Sequence, residues 1–188
     1  KLISWYSLCM GVNLLVHNIG FMISVLFGIV AIFFLLLNNP RAKGHIPFAL
    51  ALTAVVIFVA SHVLGVNEAD PELSRKILMF NLSIFFITIF NVHAILSLLN
   101  KDRKKWYILA LFYIAGIALV LIFILNPELY LKTSVPKMYF PNYYNPGDLN
   151  WIRLAWMYGV GVIYIMYELI SAAIKADNIF QKRQFFNI

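Results

Sequence analysis

The sequence predicts an all-α fold, a polytopic transmembrane helix bundle with five spans. Three observations predict it. The 188 residues are 62% hydrophobic and only 12% charged, against about 45–50% and about 25% in ordinary soluble domains. Uncharged runs of about 20 residues, the length that crosses a bilayer as a helix, recur along the chain. Six of the seven prolines fall between those runs, and the seventh, Pro47, opens one, where its missing N–H is harmless. A membrane β-barrel would instead show alternation in segments of about 10 residues, whereas these runs are apolar on every face.

The first span is read at about Asn18–Leu37. No charge appears from Leu2 to Leu37, and a helix of that length would reach about 54 Å, too long for one crossing. Trp5, Tyr6, Asn13, His17 and Asn18 therefore suggest that residues 1–17 form an interfacial or external segment; a signal sequence is the alternative, although Lys1 alone serves as its basic region. The second span covers about Ile46–Val66, the third Ile77–Leu99, the fourth Tyr107–Leu125, and the fifth Leu154–Ile174, interrupted only by Glu168. Between them lie three short polar joints and one long loop, 126–153. Trp106, Tyr107, Trp151 and Trp156 sit at span ends, where amphipathic rings favour the headgroup layer. The chain is treated as one transmembrane domain over 1–188. It begins with Lys and closes on Phe185-Phe186-Asn187-Ile188, the entry to another apolar stretch, so a piece of a longer protein is expected.

Charge sets the expected orientation. Assigning segments alternately to two sides puts Arg41, Lys43, Lys101, Arg103, Lys104, Lys105, Lys175, Lys182 and Arg183 together. The other side holds fewer cations and most acids, among them Glu68, Asp70, Glu72, Glu128 and Asp148. The positive-inside rule makes the first side cytoplasmic, with the N-terminus outside and the C-terminus inside. The block Lys101–Lys105 is read as a topology signal, and no nucleic-acid partner is expected.

Candidate functional residues are few. Glu168 is the only acid within a span; with His93, at a similar depth on the third span, it could share a proton, and Asn91 adds a polar group nearby. The plainer reading has water or Lys175 reaching Glu168. Asn81, Ser83 and Thr88 on the third span, with Gly159 and Gly161 on the fifth, suit helix packing. His17 and His62 fall at one depth on different spans and could ligate a haem, but haem-binding bundles usually need two such pairs, and a core histidine is the ordinary reading. No span holds a Lys for a retinal Schiff base. No cofactor is expected, nor a metal site, since the single Cys has no CxxC or Cys/His cluster around it. GxxxxGK[ST], GxGxxG, HExxH and GxSxG are all missing. The loop stretch Pro136–Gly147, with Tyr139, Tyr143 and Tyr144, and Trp151 beyond it, could be a ligand-contact lid without regular structure, or a cap lying on headgroups.

Taken together, several features resemble the N-terminal seven-helix sensor region of bacterial membrane histidine kinases. They are Asn39-Pro40-Arg41-Ala42-Lys43 leading into a span, the acidic joint Glu68–Arg75, the basic joint, and Asn126-Pro127-Glu128 before the aromatic loop. After the fifth span, Ala176-Asp177-Asn178 and Lys182-Arg183-Gln184 complete the pattern. The resemblance implies the first five of seven helices and a sensory domain that detects an extracytoplasmic or membrane stimulus and relays it to a cytoplasmic module such as a histidine kinase. Its partners would be the lipid bilayer, a small-molecule or membrane stimulus and that module, with a homodimer one assembly open to it. The region itself would not be an enzyme. The competing reading is a transporter or channel subunit with a Glu168/His93 relay.

Overall fold

A computed structural model describes residues 2–38 and 42–175. Lys1, the Asn39-Pro40-Arg41 segment and everything from Ala176 onward lie outside the described residues. The chain forms α1 (Leu2–Asn38), α2 (His45–Asn67), α3 (Pro71–Leu78), a 3₁₀ turn (Met79–Leu82), α4 (Ser83–Leu98), α5 (Trp106–Leu125) and α6 (Pro127–Tyr130). Strands β1 (Leu131–Lys137) and β2 (Phe140–Pro146) follow, then α7 (Ile152–Leu154), a π-helical stretch (Ala155–Val162) and α8 (Ile163–Lys175). Five segments are long and apolar enough to cross a membrane: Val12–Leu37, His45–Asn67, Pro71–Leu98, Trp106–Leu125 and Ile152–Lys175. The expected spans are thus all present.

α4 is the axis of the bundle. Phe85, Ile89, Val92 and Leu96, at three- and four-residue spacing, are fully buried, and α2, α5, the π-helical stretch and α8 pack around them. α1 leans mainly on α2, and Phe27, Val30, Phe33, Phe34 and Leu37 along it stay exposed, as befits a peripheral lipid-facing helix. Burying oil against oil gains little in hydrocarbon, so hydrogen bonds and close packing hold membrane helices together. Asn18 and Asn67 exchange reciprocal amide bonds of 3.0 and 2.9 Å between α1 and α2. The Ser61 hydroxyl on α2 lies 2.7 Å from Asn81 Oδ1 in the 3₁₀ turn. The Trp156 indole donates to the Phe85 carbonyl at 3.2 Å.

Three expectations need correction. The helix that carries the third span starts at Pro71, ahead of the apolar run at Ile77, so part of the expected polar joint is helical because Asp70 caps it: its carboxylate accepts from the Glu72 and Leu73 amides at 2.8 and 3.3 Å, with Pro71 in the first turn. Trp156 is buried against Phe85 and Phe112, whereas Trp106, Tyr107 and Trp151 are exposed at span ends as expected. The long loop is not without regular structure. Residues 131–146 form an antiparallel hairpin with Leu131 opposite Pro146, Val135 opposite Tyr143 and Lys137 opposite Phe140. Its turn residue Met138 takes φ 54°, in the left-handed region. Both strands are edges, which is where prolines such as Pro136 and Pro141 are tolerated.

Of the two fifth-span glycines, only Gly161 makes the close approach. A Cβ there would strike Thr88 Cγ2, while the Gly159 position is open. Gly161→Ala is expected to destabilise the purified protein by about 1–3 kcal/mol through overpacking, Gly159→Ala by much less. Thr88→Ser, which removes the colliding methyl, should recover most of the Gly161→Ala loss. A thermal unfolding double-mutant cycle in micelles checks this, and additive losses would contradict the contact.

Candidate functional site

An isolated two-stranded hairpin is marginal in water, so this one depends on what holds it to the helices. The Asn142 side-chain amide, buried on β2, donates to the Glu68 and Ala69 carbonyls at 2.9 Å each and thereby ties β2 to the end of α2. Ser134 on β1 lies 3.1 Å from the Ser74 hydroxyl of α3, which donates to Gly65 O at 2.7 Å. At the base of the hairpin, Gly147 N donates to Tyr130 O at 2.8 Å. A Cβ on Gly147 would collide with the Glu128–Leu129 backbone, so only glycine permits this approach. Asn150 completes the base by donating to Tyr130 O at 2.8 Å and accepting from the Tyr144 hydroxyl.

So anchored, the hairpin lays its aromatic face on α1 at His17 and on α2 at His62. The Phe140 ring centroid is 4.8 Å from His17, 5.2 Å from Tyr143 and 4.5 Å from Tyr139. Tyr143 stands edge-on to His62 at 6.2 Å. His17 and His62 do come together, 6.0 Å apart and inclined at 60°, with Phe21 packed against both. A cavity of about 200 Å³ opens here, lined by His17, Lys137, Met138, Tyr139, Phe140 and Tyr143. Of the sequence candidates, Tyr139 and Tyr143 share it. Tyr144 instead supports the hairpin base, under the Arg153 guanidinium at 4.7 Å, and Trp151 is exposed at the foot of the fifth span. Phe140 and Lys137 belong to the stretch singled out in the sequence but not to its candidate contacts, and the hairpin brings both to the cavity lining.

At the opposite end of the bundle, Glu168 is fully buried. Lys101 Nζ donates to its carboxylate at 2.9 Å and Lys105 Nζ binds the other oxygen. Both lysines come from the joint before α5, and Lys105 also lies 5.8 Å from the Tyr167 ring centroid. Two cations around one anion, each lysine about a quarter exposed, make the burial tolerable. This corrects both expectations for Glu168: neither His93 nor Lys175 is its partner. His93 Nδ1 instead meets the Tyr113 hydroxyl at 2.9 Å, joining α4 to α5. Asn91 is half-buried and, among the described residues, makes no side-chain hydrogen bond. No group of three or more His, Cys, Asp or Glu able to hold a metal occurs among the described residues.

Comparison with known proteins identifies a family. Residues 19–188 fit the family model described as the N-terminal 7TM region of histidine kinase. No curated protein and no solved structure matches the chain.

Burial pushes the Tyr144 phenol up to about 12, with Arg153 and the Asn150 hydrogen bond partly offsetting it. Below the ordinary value of 10.0 the phenol is neutral in the folded and unfolded chain alike. Between about 10 and about 12 only the unfolded chain releases the proton, so stability falls as pH rises through that window. Tyr144→Phe should flatten this part of the melting-midpoint profile, and an unchanged slope would contradict the assignment.

Proposed function

The chain belongs to the family of N-terminal seven-transmembrane regions of histidine kinases, and from that premise we propose that it is one sensory transmembrane domain working from its hairpin end. The hairpin end faces the extracytoplasmic side and the Lys101–Lys105 joint the cytoplasm. A stimulus at the hairpin shifts a helix-packing equilibrium, and the fifth span carries the shift to a cytoplasmic signalling module such as a histidine kinase. The output chemistry belongs to that module.

One observation carries the reading. β2 continues through Gly147–Asn150 directly into the fifth span, and Glu168, in the last third of that span, is clamped to the basic joint. A displacement of the hairpin therefore has a covalent route to the clamp. The charge pattern adds support, since the dense cation block at that joint is what the positive-inside rule expects of a cytoplasmic segment. The Glu168/His93 relay of a transporter has no support, because each group is engaged elsewhere.

The test is to express the chain in frame with a histidine kinase catalytic module and read autophosphorylation. Lys101→Met with Lys105→Met leaves a buried carboxylate uncompensated, at about 3–5 kcal/mol. Glu168→Gln costs less, because the freed lysines reach water. Either change loosens the clamp, and a loss of about 1.4 kcal/mol is enough to shift a two-state output about tenfold. Output that no longer depends on the state of the hairpin is expected. A Glu168→Gln protein that inserts, folds and signals as wild type would overturn the reading, as would a reporter placed in Asn100–Lys105 that reads extracytoplasmic.

A further inference from the structure

The cavity beneath the hairpin tip has a defined chemistry. Its lining combines Tyr139, Phe140 and Tyr143 with His17, Lys137 and Met138. Lys137 stands at the rim, its ammonium 5.4 Å from the Tyr143 ring centroid, and no carboxylate lines the space. At about 200 Å³ it is smaller than the 300–1,000 Å³ of drug-sized pockets, which limits the occupant to about one ring and one polar group.

These features select among ligand classes. Aromatic walls suit a flat ring in offset or edge-on contact. A cation would find favourable ring faces but would meet Lys137 with no anion to balance the pair. A neutral ring would leave the lysine unused. We propose that the cavity binds a small aromatic carboxylate, its ring against Tyr139, Phe140 and Tyr143 and its carboxylate accepting a hydrogen bond from Lys137 Nζ. The proposal rests on the sensor reading only for what occupancy does. Seating such an anion joins α1 to the hairpin, the element from which the fifth span descends.

The test is isothermal titration of the full chain in neutral maltoside micelles at pH 7, where an aromatic carboxyl is ionised. Benzoate is the probe, with benzamide and benzylammonium as its neutral and cationic counterparts of like shape. Saturable benzoate binding is expected, at least about tenfold tighter than that of benzamide, with no saturable benzylammonium binding. Lys137→Met should weaken benzoate about tenfold, while Lys104→Met, the same charge loss at the far end of the bundle, should not. Helix content and melting midpoint establish that each variant is folded, and Lys137 is exposed, so its replacement leaves the fold intact. Benzoate binding no tighter than benzylammonium, or a Lys137→Met protein that titrates as wild type, would overturn the site. Benzoate that binds as expected yet leaves kinase output unchanged would uphold the site and overturn the sensor reading. Clamp variants that alter output in a protein that does not bind benzoate would do the reverse.

Discussion

Hydrocarbon offers no partner to a peptide N–H or C=O, and the layout of this chain follows from that. The apolar runs must close their hydrogen bonds internally and so become helices. The side chains that join one helix to another are correspondingly few and specific: Asn18 with Asn67, Ser61 with Asn81, Trp156 with the Phe85 carbonyl, His93 with Tyr113. Glu168 is the extreme case. A lone carboxylate buried inside a helix bundle is expensive, and two lysines drawn in from the neighbouring joint resolve the cost. That requirement fixes the fifth span to the start of α5.

The same constraint explains the hairpin. Once the chain leaves α5 it has 26 residues to Ile152 in which backbone groups need partners, and after the single turn of α6 strand pairing supplies most of them. The hairpin then borrows stability from α2 and α3 through Asn142 and Ser134. Irregular backbone sits on either side of α4: the 3₁₀ turn at Met79–Leu82 leads into it, and the π-helical stretch at Ala155–Val162 packs on it through Trp156 and Gly161. Departures from α-helical geometry often mark functional or strained places in a helix. Here one of them lies on the route from the hairpin to Glu168, where a shift in packing would have to pass.

Span positions were legible because length, hydropathy and proline placement are local properties. The start of the third span was less so, since Asp70-Pro71-Glu72 reads equally well as an acidic loop or as the capped first turn of a helix. The hairpin was obscured by its prolines, which look like loop punctuation until both strands prove to be edges. The two lysines of the clamp were hidden in plain view: within a basic run they read as solvated topology markers, and sequence spacing cannot tell that Glu168 faces them across the bundle. Lys175 and His93 were the natural guesses because one is near in sequence and the other near in depth. Trp156 reads as an interfacial ring for a similar reason, because its partner, the Phe85 carbonyl, lies 71 positions away.

The central claim is that the hairpin and the Glu168 clamp belong to one mechanical unit. Ser74 and Ser134, whose hydroxyls lie 3.1 Å apart, offer a direct way to ask. A Ser74→Cys, Ser134→Cys pair in a Cys9→Ser background would lock the hairpin to α3 when oxidised and free it when reduced. Amide hydrogen exchange across Leu99–Lys105, at the far end of the bundle, should then slow on oxidation and quicken on reduction. Exchange there that is identical in the two redox states, with the disulfide verified, would contradict the account.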